Sequence, residues 1–149
     1  MKALPLLFLL FVSTPALANQ NSASPEALIE AKYRQYIRDF IAKDYEAIAG
    51  HFNPPIQRTN FEGSVVLQNT GEIKRMYQNV MANIQKGYSY SEVDSIDIQS
   101  LSRSTYAASV SFTRYNAKDE AIFEGRSIYL FGKQSGEWKM FSMIQAERE

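Results

Sequence analysis

The sequence predicts an α+β domain in which an antiparallel β-sheet carries helices on one face. Three observations support this fold class. Apolar side chains recur at spacings of three and four over residues 29–52 and 73–84, which is typical of amphipathic helices. From residue 88 onward the apolar side chains tend to alternate with polar ones, as they do in half-buried strands. Four strand-like runs therefore follow three helices in uninterrupted order.

Residues 1–18 resemble a cleavable signal peptide. Lys2 gives a positive start, residues 3–12 form an apolar run, and Ala16-Leu17-Ala18 supplies the small residues that signal peptidase requires. The run is about ten residues long, whereas a membrane-spanning helix needs roughly twenty. We therefore expect cleavage after Ala18, a periplasmic or secreted location, and no membrane span in the mature chain. Residues 19–23 are expected to form a flexible leader, and residues 24–149 a single domain.

The composition excludes several classes of function. The chain has no cysteine, which excludes disulfides, thiol catalysis, thiolate metal sites and a lipid anchor on the signal peptide. Its 16 basic and 16 acidic residues are interspersed, so nucleic-acid binding is disfavoured. There is one histidine, no acidic cluster at ligand spacing and no phosphate-binding glycine loop, so we expect neither a metal nor a cofactor. Export also disfavours nicotinamide nucleotides and coenzyme A.

Three helices are predicted in the first half of the chain. The first begins at Ser24-Pro25-Glu26, where Ser is a suitable N-cap and Pro suits the first helical position, and it ends near Lys43. The second begins at Asp44, carries Phe52 on its apolar side, and is stopped by Asn53-Pro54-Pro55. The third extends from Asn69 to Gly87 and opens with a capping box, since Glu72 follows Asn69 by three residues.

Strands are predicted on both sides of the third helix. Residues 56–61 and 64–68 form a hairpin that turns at Glu62-Gly63. Residues 88–101, 106–112, 121–133 and 138–145 form the four later strands, separated by turns near residues 116–120 and at Ser135-Gly136.

This order of elements resembles the nuclear-transport-factor-2-like superfamily, which includes ketosteroid isomerases and SnoaL-like cyclases. The resemblance covers nearly all of residues 24–149. It depends on the long helix 36–43 running into a short one, on the hairpin, on the Gly71 helix start, on residues 108–112, and on the terminal pattern Gly136-Glu137-Trp138-Lys139-Met140. It implies a cystatin-like cone, in which a curved antiparallel sheet wraps around the long N-terminal helix and two shorter helices. It also implies a pocket and a homodimer formed through the outer sheet face.

The resemblance allows a comparison with the isomerases by position. Tyr36 lies where the isomerases place the tyrosine that binds the substrate oxyanion. Tyr36 also fits the apolar stripe of its helix, and we favour this structural role over a catalytic one. Asn60 lies near the place of the catalytic carboxylate and cannot abstract a proton from carbon. Residues 107–115, where a second acid is expected, contain none. Tyr36 and Asn60 are thus weak catalytic candidates, and ketosteroid isomerisation is not expected.

The expected ligand pocket combines aromatic and apolar residues with arginines. Arg114 continues the apolar phase of Val110 and Phe112, and Arg126 that of Ile128 and Leu130, so either guanidinium could face the pocket and bind a carboxylate. The alternative, which we favour, is that these arginines reach water or pair with Glu120 and Glu124. The pocket residues predicted from the sequence are Tyr36, Phe40, Phe52, Arg58, Met76, Tyr77, Phe112, Arg114, Arg126 and Trp138.

His51 is the single histidine and lies near the C-terminus of the second helix. A cation there is favourable for the helix dipole, so capping or exposure is expected rather than catalysis. His51 could also pair with Asp44.

Three functions are compatible with these observations. The first is an exported domain that binds a small apolar or amphipathic ligand, either neutral or anionic, and has no identifiable catalytic machinery. The second is an enzyme of the SnoaL-like cyclase, isomerase or dehydratase kind that acts on a small apolar carbonyl compound. The third is a protein-interaction module. An open cavity containing Tyr36 and an arginine would favour the first two, and a cavity filled by aromatic side chains the third.

Overall fold

The structure, a computed structural model, describes residues 23–148, so the predicted signal peptide and nearly all of the predicted leader lie outside the described residues. The three predicted helices are present as α1 (Pro25–Ala42), α2 (Tyr45–Gly50) and α3 (Thr70–Ala82). The Ser24 hydroxyl accepts a hydrogen bond from the Ala27 amide at 3.2 Å and caps α1. Helix α1 ends at Ala42, and its C-cap residue, Lys43, takes a left-handed conformation with φ of 58°.

The start of α3 shows the predicted capping residues. The Asn69 side chain accepts from the Glu72 amide at 3.0 Å, and the Glu72 carboxylate accepts from the Gln68 amide at 2.8 Å. Helix α3 ends at Ala82, five residues before the predicted end at Gly87.

Six strands form one sheet in the order β2-β1-β6-β5-β4-β3. Neighbouring strands are antiparallel except β1 and β6, which pair in parallel, a departure from the expected fully antiparallel sheet. The strands are β1 (Phe52–Asn60), β2 (Gly63–Leu67), β3 (Tyr88–Ser102), β4 (Thr105–Asn116), β5 (Ala121–Gln134) and β6 (Glu137–Ala146).

The prediction was wrong about the start of β1. Phe52 belongs to this strand, and Asn53, Pro54 and Pro55 continue it instead of separating it from α2. The strand accepts the two prolines because Phe52 pairs with Met140 and regular pairing with β6 resumes only at Gln57. Proline lacks an amide hydrogen and is tolerated where a ladder is interrupted.

The core lies between α1 and the concave face of the curved sheet. Ile29, Tyr33, Tyr36 and Phe40 follow one face of α1, and none is more than 5% exposed. The sheet contributes Ala108, Val110, Tyr129, Phe131 and Met140 to the same cluster. This arrangement confirms the predicted α+β cone. No helix among residues 23–148 has both the length and the apolar character needed to cross a membrane.

Candidate functional site

A cavity of about 1090 Å³ opens between α1, α3, the β1–β2 hairpin and the concave face of the sheet. Its inner wall consists of buried side chains, which include Tyr33, Tyr36, Phe40, Tyr77, Tyr129 and Met143. Its rim consists of exposed residues, which include Phe61, Glu62, Arg75, Asn79, Glu124 and Arg148. The volume suits an organic molecule of drug size, and the wall combines aromatic rings with a few polar groups, as ligand sites usually do.

Arg114 is a charged residue of this wall. Its guanidinium carbon lies 5.9 Å from the centres of the Phe40 and Tyr88 rings, 5.2 Å from that of Phe112 and 5.1 Å from that of Phe123. Aromatic faces carry negative charge density, so this cage stabilises the cation without a carboxylate.

The hydrogen bonds of Arg114 are incomplete. Its Nη1 donates to Oε1 of Gln85 at 2.6 Å, while its Nε is buried and has no acceptor. Within the described part of the chain no carboxylate forms an ion pair with this guanidinium. Burial lowers the pKa of Arg114 from its usual value, because the charged form loses hydration. A half-buried cation with an unused donor is suited to bind an anion.

The backbone of β4 and β5 determines where this cage forms. Arg114 follows Val110 and Phe112 on the alternating inward face of β4. Phe112 is paired with Gly125 of β5, and a Cβ at Gly125 would lie 2.5 Å from Phe112 Cζ and 2.7 Å from Phe123 Cε1. Both rings can approach Arg114 because residue 125 has no side chain.

Four tyrosines form the wall next to this cage: Tyr33, Tyr36, Tyr77 and Tyr129. The hydroxyls of Tyr36 and Tyr77 share a hydrogen bond of 2.8 Å, and Tyr77 donates to the sulfur of Met143 at 3.6 Å. The Tyr33 and Tyr129 ring centres lie 5.1 Å apart, and burial together with the nearby Tyr129 hydroxyl raises the pKa of Tyr33, yet no described residue meets the Tyr33 hydroxyl at hydrogen-bonding geometry.

Burial raises the pKa of all four phenols, and for Tyr33, Tyr36 and Tyr77 the pKa lies well above its usual value. The four hydroxyls are therefore protonated at neutral pH. They supply no base. The protons of Tyr36 and Tyr77 are already used in the hydrogen bonds above, whereas the Tyr33 hydroxyl can donate to a ligand.

The carboxylates around the cavity lie away from its inner wall. Glu72 is occupied with capping α3, and Glu124 pairs with Arg148 at 3.2 Å. Glu62 and Glu147 are exposed. The inner wall, as far as the structure describes it, therefore consists of phenols, aromatic and apolar groups, and Arg114.

The structure places most of the predicted pocket residues around this cavity. The aromatic and apolar ones among them are Tyr36, Phe40, Met76, Tyr77 and Phe112, and the charged ones are Arg58, Arg114 and Arg126. Asn60, the weak catalytic candidate, also borders the cavity. Phe52 and Trp138 lie elsewhere. Phe52 packs behind the wall, and its ring centre lies 5.9 Å from that of Tyr36 and 5.8 Å from that of Tyr77. Trp138 packs edge-on to Tyr106, with the ring centres 5.2 Å apart.

Asn60 has a structural role in the hairpin. Its Oδ1 accepts from the amides of Glu62 and Gly63 at 3.0 and 3.1 Å, which closes the β1–β2 turn.

Arg126 shares the phase of Ile128 and Leu130 in β5, and this phase does not face the core. The buried residues of this strand are Tyr129 and Phe131, so Ile128 and Leu130 are not its inward phase. Arg126 borders the cavity, but its Nε donates to Ser109 at 3.0 Å, and Ser109 alternates with the buried Ala108 and Val110.

His51 pairs with Asp39 and not with Asp44. Its Nε2 lies 2.6 Å from Oδ2 of Asp39, and both side chains are mostly buried. Asp44 instead caps α2 by accepting from the Ala47 amide at 3.0 Å. The pair lies outside the cavity lining.

Sequence reasoning missed several wall residues. Tyr33 was assigned only to the core stripe of α1, and Tyr129, Phe123 and Gln85 were not selected. The inward face of β5 is marked in the sequence by the alternating residues Phe123, Gly125, Ser127 and Tyr129. This signal is weak because the alternative phase, with Ile128 and Leu130, is more hydrophobic. Nothing local marks Gln85, which meets Arg114 only through the fold.

The cone and its amphipathic cavity define a domain of the nuclear-transport-factor-2-like class. Residues 25–148 match the family model described as NTF2-like protein (DUF6841), and the chain belongs to this family. No curated protein sequence matches it.

Solved structures share the fold at low identity. A domain of unknown function with a cystatin-like fold from Nostoc punctiforme has a TM-score of 0.68 and 20% identity, over 87% of this chain and 80% of that one. An NTF-2-like protein of unknown function from Shewanella oneidensis has a TM-score of 0.65 and 14% identity, over 83% of this chain and 100% of that one. An NTF2-like protein from Novosphingobium aromaticivorans has a TM-score of 0.66 and 10% identity, over 81% of this chain and 80% of that one. These similarities show the fold.

Proposed function

We propose that this NTF2-like domain is exported and binds a small amphipathic anion in its cavity. The observation that carries the proposal is Arg114, a cation in the inner wall that has an unused donor and no carboxylate partner among residues 23–148. A ligand carboxylate would pair with the guanidinium, and an apolar ligand body would lie against the rings around it.

The polarity of the wall supports binding rather than proton-transfer catalysis. The phenols are protonated, and the Glu72 and Glu124 carboxylates are held in a helix cap and an ion pair. No group on the inner wall is a suitable base for taking a proton from carbon. The open cavity also disfavours the reading as a pure interaction module.

The binding proposal is tested by calorimetric titration with phenyl-terminated hexanoate and the corresponding alcohol. The carboxylate should bind more tightly than the alcohol, and Arg114→Met should abolish that preference. Methionine is chosen because it can pack against aromatic rings. We expect a loss of roughly tenfold or more in carboxylate affinity, as for removal of a charge-assisted hydrogen bond.

Arg103→Met is the matched control, because Arg103 is exposed between β3 and β4 and does not line the cavity. It should bind the carboxylate as the wild type does. Equal affinity for the carboxylate and the alcohol, or no binding of phenyl-terminated carboxylates at millimolar concentration, would contradict the proposal.

The export part of the proposal rests on the character of residues 1–18. Mass spectrometry of the protein recovered from the periplasm or medium should give a mature N-terminus at Asn19. A mature chain that retains Met1 or Lys2 would be incompatible with it.

Homodimerisation is a separate proposal, which rests on the family fold. Ile128, Leu130 and Ile144 are half-buried and lie on the sheet face opposite the cavity, with Ile128 and Ile144 directly paired. Light scattering should give twice the chain mass, and Ile128→Lys should reduce it to one. A wild-type monomer at high concentration would refute a dimer.

A further inference from the structure

Two buried side-chain polar atoms in the described part of the chain have no hydrogen-bond partner, and both belong to residues of the cavity wall. They are Oη of Tyr33 and Nε of Arg114. Native proteins satisfy the great majority of their buried polar groups, because an unsatisfied one retains its full desolvation cost. Their shared location indicates that one ligand could satisfy both.

The two donors lie at different places along the wall. Arg114 packs over the Phe40 ring, while Tyr33 packs against Tyr36 and Tyr129 at 5.6 and 5.1 Å. Tyr33 and Phe40 are separated by seven residues of α1, which correspond to roughly 10 Å along a helix axis. The Tyr36 ring lies between them, 6.3 Å from that of Phe40. The two donors would therefore contact different parts of a ligand.

The donors also differ in chemistry. The guanidinium of Arg114 is a cation and favours a carboxylate, with which it can form parallel hydrogen bonds. The Tyr33 hydroxyl is neutral and completely buried, so a neutral oxygen, such as a ketone or hydroxyl, is its suitable partner. A second carboxylate at Tyr33 would be buried without a cation beside it, which is costly.

We propose that Tyr33 forms a second polar contact with the ligand, and that the ligand is an amphipathic oxo- or hydroxycarboxylate. Its carboxylate binds Arg114, its neutral oxygen lies several bonds away and accepts from Tyr33, and its apolar part packs between the aromatic rings. This inference rests on the proposed anion-binding function and adds the ligand class.

The test uses phenyl-terminated straight-chain carboxylates from butyrate to heptanoate. Each is compared with the oxo acid in which the methylene next to the ring is replaced by a carbonyl. The series moves the carbonyl away from the carboxylate one bond at a time. By calorimetry, at least one oxo acid should bind the wild-type protein roughly tenfold more tightly than its parent, as expected when a buried donor gains an acceptor.

Tyr33→Phe should remove this preference, so that each oxo acid binds the variant no more tightly than its parent acid does. Tyr106→Phe is the matched control, because Tyr106 is buried outside the cavity, and it should keep the preference. The comparison of oxo acids with parent acids on the wild-type protein tests the proposal even if a variant fails to fold, because it needs no substitution.

The outcomes separate this inference from the function on which it rests. If parent acids bind through Arg114 and no oxo acid binds more tightly, or if Tyr33→Phe keeps the preference, the role of Tyr33 is refuted and anion binding stands. If no acid of either kind binds, the anion-binding proposal itself has failed.

Discussion

Nε2 of His51 and Oδ2 of Asp39 lie 2.6 Å apart, and this contact joins α1 to the residue that follows α2. The two side chains are 13% and 17% exposed, so water competes weakly for either group. His51 also lies edge-on to the Tyr36 ring at 6.0 Å, and Tyr36 is part of the cavity wall. The pair therefore supports the back of the cavity without lining it.

Asp39→Ala should lower the free energy of unfolding by about 1–3 kcal/mol, because it leaves His51 without its partner in a mostly buried position. Urea denaturation measures the change. Glu30→Gln is the control, since it weakens the exposed Arg34–Glu30 pair, where an effect of about 0.5 kcal/mol or less is expected. Equal effects of the two substitutions would show that the His51–Asp39 contact contributes no more than a surface pair.

Gly125→Ala should destabilise the protein by about 1–3 kcal/mol, because the added methyl group would overlap the Phe112 and Phe123 rings. It should also weaken carboxylate binding, since both rings pack on Arg114. Gly50→Ala is the control, because no atom lies within 4 Å of its added methyl group and alanine is favoured in a helix. Thermal unfolding and calorimetric titration provide the two readouts. A Gly125→Ala protein with wild-type stability and affinity would contradict this account of the cage.

Asn60→Ala should cost about 1 kcal/mol of stability, because the amides of Glu62 and Gly63 lose their acceptor at the hairpin turn. Asn60→Asp retains an acceptor oxygen and should be close to the wild type in chemical denaturation. If Asn60→Asp were as destabilised as Asn60→Ala, the turn hydrogen bonds would not explain the role of this residue.

The protein should lose stability as the pH rises above about 10, the usual pKa of tyrosine. Tyr33, Tyr36, Tyr77 and Tyr129 have pKa values raised by burial, so the folded state keeps protons that the unfolded chain has lost at such pH. Their stabilising contribution is complete below pH 10 and falls above it.

Near-ultraviolet absorbance of tyrosinate and circular dichroism, followed together, measure this alkaline transition. Exposed tyrosines should ionise first, and the buried group only when the fold is lost. A single absorbance transition near pH 10 with intact dichroism would show that these phenols are not protected.

The amino-acid sequence determined the elements and the class of fold. Helix α1 was predictable because Ser24 and Pro25 start it locally, and its apolar face repeats with the helical period. The capping residues Asn69 and Glu72 identified α3 in the same way. Arg114 was predictable as a pocket candidate because it continues the inward phase of β4. These are local properties, which neighbouring residues establish without the rest of the chain.

Tertiary structure alone decided the composition of the site. The sequence left open whether Arg114 would meet a carboxylate, and only the folding of α1, β3 and β5 around β4 surrounds it with aromatic rings and Gln85. It was silent about the unsatisfied Tyr33 hydroxyl and about the parallel pairing of β1 with β6. The inward phase of β5 was also left open, because hydrophobicity favours Ile128 while packing buries Tyr129. Such features depend on contacts between residues distant in the chain, which no local pattern contains.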